Sequence, residues 1–153
     1  MKHLPLPAIE HRIHYQTCVR QTRNQAARTL LLGMTDRVVK AGSEYRTAAA
    51  TGRLHKVAKM QASVGERARI SKVYELRMVR RRGSGRAVYD EIKESAAKCP
   101  YCSDGEVYEL DHFLPKGAFP ELNVLPINLI PICHPCNHIK LELEEKLEKC
   151  KRL

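Results

Sequence analysis

The sequence predicts an α+β protein that is mostly α, with a basic α-helical region over residues 1–95 and a small cysteine-stapled ββα module over residues 96–153. Helical periodicity and a capping signal dominate the first part. In the second, two Cys-x2-Cys pairs, Cys99/Cys102 and Cys133/Cys136, enclose two short strand-like runs. The charge also changes sign: residues 1–95 hold 20 Lys+Arg against 8 Asp+Glu, whereas residues 96–153 hold 7 against 9.

Pro5 and Pro7 remove backbone donors and restrict the residues before them, so residues 1–9 read as an irregular lead-in and helix starts near Glu10. From there to Leu32, Ile13, Cys18 (or Thr17), Ala27, Leu30 and Leu31 recur near the helical period, and Gly33 is the stop. Residues 34–60 keep a helical composition interrupted at Gly42-Ser43 and Thr51-Gly52, which predicts two short helices or one broken one. Ser63-Val-Gly-Glu66 has the form of a capping box, and Ile70, Val73, Tyr74, Leu76 and Met78 supply an apolar stripe behind it. That helix runs out at Arg80-Arg81-Arg82-Gly83-Ser84-Gly85. Ala87 to Ala97 makes one more, with Val88, Ile92 and Ala96 on one face.

Arg80, Arg81 and Arg82 are candidate phosphate contacts, although three cations also suit a helix C-terminus. A basic region joined to a nearly neutral module points to a polyanion partner, nucleic acid and DNA first; a solvated helical face is the bland alternative. No apolar stretch approaches the ~20 residues that a membrane span needs, and no signal-peptide core follows the N-terminus, so the expected setting is the cytoplasm. In a reducing compartment, six cysteines in two close pairs plus isolated Cys18 and Cys150 favour metal binding over disulfides. Cys18 reads as a small core residue and Cys150 as a tail thiol.

Zinc takes four tetrahedral ligands in structural sites, and two turn-forming pairs let Cys99, Cys102, Cys133 and Cys136 grip it from two sides. Reduced core thiols would leave the Cys-Pro-x-Cys and Cys-x-Pro-Cys contexts unexplained. His134 lies inside the second pair, but four thiolates already fill the shell. Between the pairs, the run from Gly105 to Leu110 reads as a strand ending at Asp111-His112, with Val107, Glu109 and Asp111 on one face and Tyr108, Leu110 and His112 on the other. Joint service of Asp111 and His112 at one site then requires a backbone bend near Phe113-Leu114-Pro115. Ile127 to Ile132 reads as a second strand, and Asn137 to Lys149 as a helix with Ile139, Leu143 and Leu147 facing inward.

Strand, strand and helix around a zinc knuckle, with Asp-His ending the first strand and Asn137-x2-Lys140 opening the helix, resembles the HNH endonuclease (ββα-metal) family over roughly residues 99–142. The resemblance implies that His112 is the general base, that Asn128 orients the His112 ring, and that Asp111 with Asn137 holds a divalent metal. Lys140 matches the lysine of the family's CNxxK signature and is expected at the nucleic acid. The chemistry fits these roles. Imidazole suits deprotonation of water near neutrality, and oxygen ligands suit Mg²⁺ or Mn²⁺. Taken singly, His112 is a packed histidine, Asn128 a turn residue and Asn137 an N-cap. His138, one turn from His134, is an alternative ligand that would favour a transition metal. Family members with such a helical region typically continue well beyond this helix, so a shortened form is expected. The rival reading is a non-catalytic zinc-ribbon nucleic-acid-binding protein. An ATPase partner in a phage-defence complex is implied by family analogy alone.

Overall fold

The computed structural model describes Pro5, residues 7–59 and residues 61–141. The run expected as one helix from Glu10 to Leu32 is two, α1 (His11–Arg20) and α2 (Gln25–Gly33). The break lies at Asn24, whose extended backbone and side chain, accepting the Ala27 N–H at 2.8 Å, make it the N-cap of α2. The inward face of α1 is His11, His14, Tyr15, Cys18 and Val19, while Ile13 is 55% exposed. Two histidines in core positions disguised the stripe; Cys18 is a buried core residue as expected.

Helix α3 (Thr35–Ala50) passes through Gly42-Ser43 unbroken. Gly42 serves close approach rather than a turn: a Cβ there would lie 2.4 Å from His11 Nδ1, so a side chain would have to displace the buried His11 ring. The second predicted stop is real, with Gly52 at φ +67. Helix α4 (Val64–Tyr74) begins with the capping box, Glu66 N–H donating to Ser63 Oγ at 3.2 Å and Ser63 N–H to the Glu66 carboxylate at 2.8 Å. It widens into a π-type turn, Glu75–Val79, before stopping at Arg80. A Cβ on Gly83 would lie 2.1 Å from the Arg77 carbonyl, which makes glycine obligatory in the tight link to α5 (Arg86–Glu94).

The strands are shorter than the sequence suggests: β1 (Glu109–His112) and β2 (Leu129–Ile132) pair antiparallel with Glu109 opposite Ile132 and His112 opposite Leu129. Residues 134–141 are helical and form α6. Ile139, expected to face inward, is 56% exposed. Leu143, Leu147 and Cys150 lie outside the described residues.

One cluster unites both parts of the chain. Tyr15, Val38, Ile70, Met78 and Ile92 pack with Leu110, Val124 and Leu129, so the sheet is built onto the helical core across Ser95. A second cluster sets Tyr45 of α3 against Phe119, Leu122 and Leu125 in the segment between the strands. Leu122 and Leu125 are fully buried, and each such side chain contributes about 1.5–3 kcal/mol through removal from water. These two clusters hold the segment that carries Asn123 and Asn128. Among the described residues no helix is long and apolar enough to cross a membrane.

Candidate functional site

The four cysteines of the two pairs converge, their Sγ atoms all lying within 4.8 Å of one another. Cys102 and Cys133 Sγ are 3.8 Å apart, the edge of a tetrahedron whose arms are about 2.3 Å, as for zinc bound by thiolates. The first turn is built for this. Ser103 N–H donates to the Cys99 carbonyl at 2.7 Å, Ser103 takes φ +60, and Gly105 N–H donates to Cys102 Sγ at 3.3 Å. A Cβ on Gly105 would sit 2.8 Å from Cys133 Cβ, so only glycine lets the two turns close.

The electrostatics of the cluster call for a cation. Backbone N–H groups of Gly105 and Asp104 lower the Cys102 thiol to about 6, while the neighbouring Cys133 sulfur pushes Cys136 up to about 12. Four crowded sulfurs cannot all ionise unless positive charge joins them, and a soft four-sulfur donor set fits Zn²⁺. His134 takes no part: its side chain is 77% exposed and its Nδ1 lies 3.5 Å from Glu109 Oε1.

The knuckle also starts α6, since Asn137 N–H donates to the Cys133 carbonyl at 3.1 Å, and α6 lies against β1. There a cavity of about 910 Å³ is lined by Glu109, Asp111, His112 and Asn137, with Tyr74 and Phe119 among its apolar walls. The bend expected near Phe113-Leu114-Pro115 is present, the backbone bending at Phe113 and Leu114 directly after β1. Burial alternates regularly along β1 through His112, and Phe113 N–H continues the ladder by donating to the Asn128 carbonyl at 2.8 Å. Asp111 and His112 leave opposite faces of the strand yet both reach the walls of this cavity.

His112 is buried, its ring 4.5 Å from that of Tyr74 and edge-on to it. Its Nε2 lies 2.9 Å from the Asn123 carbonyl. A carbonyl only accepts, so Nε2 carries the proton and Nδ1 holds the free lone pair. Burial lowers the ring to about 4, the Asn123 bond opposing and the Lys116 and Lys140 charges adding to the fall, which keeps the imidazole neutral near pH 7.

Asn128 departs from its expected role. Fully buried, its amide accepts from Leu114 N–H at 2.8 Å and donates to the Leu114 and Leu122 carbonyls at 3.2 and 3.3 Å. It therefore fastens the backbone on either side of the segment between the strands, and the Asn123 carbonyl, not Asn128, holds the ring. Lys140 closes the other side of the site. One helical turn beyond Asn137, its ammonium is 2.5 Å from Asp111 Oδ2 and 2.6 Å from the His112 carbonyl, because a carboxylate only 12% exposed demands a cation. Asn137 Nδ2 donates to Glu109 Oε1 at 2.9 Å. His138 is exposed and does not line the cavity.

Two carboxylates and an amide thus offer oxygen donors to one cavity. The cysteines are the one grouping of three or more His, Cys, Asp or Glu ligand atoms within 4.8 Å among the described residues. A hard cation at Asp111 would accordingly complete its shell from water and substrate, as Mg²⁺ commonly does. Arg80, Arg81 and Arg82 are exposed and directly follow Val79, which lines the same cavity. Sequence reasoning missed Glu109, Asn123 and Tyr74. Only Glu109 left a signal, standing two residues from Asp111 on the same strand face.

The chain is 31% identical to Protein ea31 of Escherichia phage lambda over 147 residues, 90% of this chain and 50% of that protein. It is 37% identical to Septu protein PtuB of Bacillus thuringiensis over 62 residues, 37% of this chain and 24% of that protein. It thus spans half or less of the length of these curated relatives. No family model matches the chain, and no solved structure does.

Proposed function

We propose that the protein is a metal-dependent nuclease of the HNH type, hydrolysing phosphodiester bonds of nucleic acid, DNA in the first place. The observation that carries this reading is the convergence of Asp111, His112 and Asn137 on one cavity beside a four-cysteine cluster. Cys99, Cys102, Cys133 and Cys136 hold structural zinc. Asp111 and Asn137 hold Mg²⁺ or Mn²⁺, which when bound neutralises charge on the phosphate and on the leaving oxygen. His112, neutral and tethered through Nε2, takes a proton from water at Nδ1. Asn128 keeps the backbone around the ring in place. Lys140 sets a positive charge beside the scissile phosphate, and Arg80, Arg81 and Arg82 grip flanking phosphates at the cavity mouth. An ATPase partner in a phage-defence complex, which the family resemblance implies, completes the proposal, and co-purification tests it.

The direct test is cleavage of duplex DNA, single-stranded DNA and RNA with Mg²⁺, Mn²⁺ or chelator, comparing wild type with His112→Ala. The expected result is divalent-dependent cleavage that falls about 10²-fold or more in the variant, the usual contribution of a positioned base. Unchanged cleavage by the variant removes His112 as base. Salt-sensitive binding without cleavage on any substrate favours the zinc-ribbon binding protein instead.

A further inference from the structure

We infer that Glu109 is a positioning residue for the divalent-metal site: its carboxylate fixes the Asn137 amide so that Oδ1 is the atom turned away from β1 and offered to the cation. The inference rests on the metal-dependent reading above. Asn137 meets Glu109 Oε1 at 2.9 Å through Nδ2. A carboxylate can only accept, so the amide must approach it with its NH₂ end. The two ends of a planar carboxamide diverge, and Oδ1 therefore faces elsewhere.

Three further contacts make this orientation firm. Glu109 is itself fixed on β1 opposite Ile132, and Tyr108 N–H donates to the Ile132 carbonyl at 3.0 Å, so the strand cannot twist the carboxylate away. His134 Nδ1 lies 3.5 Å from the same Oε1. The Asn137 backbone is anchored to the Cys133 carbonyl at 3.1 Å, so the residue's own position is set by the knuckle. What remains free is rotation of the amide, and Glu109 removes that freedom. A flipped amide would present NH₂ to a cation, which repels it. With one carboxylate and one amide as protein ligands, such a flip discards half of the protein's hold on the metal.

Gln at position 109 is nearly isosteric but can donate or accept, so it no longer dictates which end of Asn137 faces it. The test measures Mn²⁺ binding by calorimetry and by electron paramagnetic resonance on the full zinc-loaded chain, with zinc content and unfolding temperature followed in every variant. Glu109→Gln is expected to weaken Mn²⁺ binding about 10-fold, the size typical of groups that orient metal ligands. In an Asn137→Asp background either carboxylate oxygen can face the cation. There the same substitution is expected to change binding by less than about two-fold, because the coupling between the two residues has gone. An equal loss in both backgrounds makes Glu109 a ligand in its own right and overturns the inference. So does Mn²⁺ binding that is normal in Glu109→Gln, and that result leaves the nuclease reading standing. Absence of both Mn²⁺ binding and cleavage in the wild-type protein overturns the two together.

Discussion

The cysteine knuckle and the cavity beside it are both donor clusters, but they differ in how their donors are satisfied within the protein. In the knuckle, four sulfurs face one another with no counter-charge, and their thiols are driven apart toward about 6 at Cys102 and about 12 at Cys136. In the cavity the central polar residues each meet a protein partner. Asp111 has Lys140, Asn137 has Glu109, and His112 has the Asn123 carbonyl. Metal at the knuckle accordingly belongs to folding, whereas the divalent cation proposed for the cavity would serve chemistry at residues that already hold protein contacts.

The largest effect is therefore expected at the knuckle. Cys133→Ser, or stripping of zinc by a strong chelator, removes a metal contribution on the order of 10 kcal/mol, comparable to the whole stability of an ordinary domain. Loss of cooperative unfolding in thermal melts, in step with zinc release, is the expected outcome. A melt unchanged by full zinc removal would show that the knuckle does not hold the fold. Mg²⁺ added or withheld should leave the melt in place.

Acid comes next, because it separates the helical part from the knuckle. His11 and His14 are buried in the face of α1, and burial lowers each to about 4. Folded values below the unfolded 6.5 mean that this stability is fully present above pH 6.5 and is lost as pH falls toward 4. Each histidine then contributes up to about 3 kcal/mol of acid sensitivity, at about 1.4 kcal/mol per unit. Chemical denaturation of the zinc-loaded protein between pH 7 and 4.5 should show a steep decline, shallower in His14→Gln. An equal slope in that variant would place the acid sensitivity elsewhere.

Asn128→Ala is expected to cost about 2–4 kcal/mol, since it leaves the Leu114 N–H and the Leu114 and Leu122 carbonyls without the amide that now meets them. Zinc content should stay whole. A loss of cleavage with no loss of stability would instead return Asn128 to direct service of the ring.

How much of this was legible follows from the physics of each part. The knuckle could be read because its chemistry depends on residue type and spacing alone, and Cys-x2-Cys leaves few alternatives. The capping box at Ser63 and Glu66 was equally local. The α1 face is hidden in the sequence because His11 and His14 count as polar by composition yet pack as core, and Gly42 looks like a break because the ring that occupies its missing Cβ belongs to another helix. In the cavity the residue types were legible but their partners were not. That Lys140 meets Asp111 and that a backbone carbonyl holds His112 depend on how α6 and the segment between the strands come back to β1, contacts that span 29 and 11 residues of chain.

The smallest effect on stability is expected where the chain is most basic. Arg80, Arg81 and Arg82 are exposed, and replacing all three by Ala should shift stability by no more than about 0.5 kcal/mol per site and leave zinc content untouched. Nucleic-acid binding should respond differently. Each arginine that neutralises a phosphate contributes about 0.9 to the slope of log affinity against log salt on duplex DNA, so the triple variant should flatten that slope by up to about 3. If the arginines only close a helix, the slope stays as it was and the melt falls by a few tenths of a kcal/mol for each lost cation. Titrations of one duplex at several salt concentrations, with wild type and variant side by side, separate the two, since phosphate contact changes the slope while a helix-end role moves only the melt.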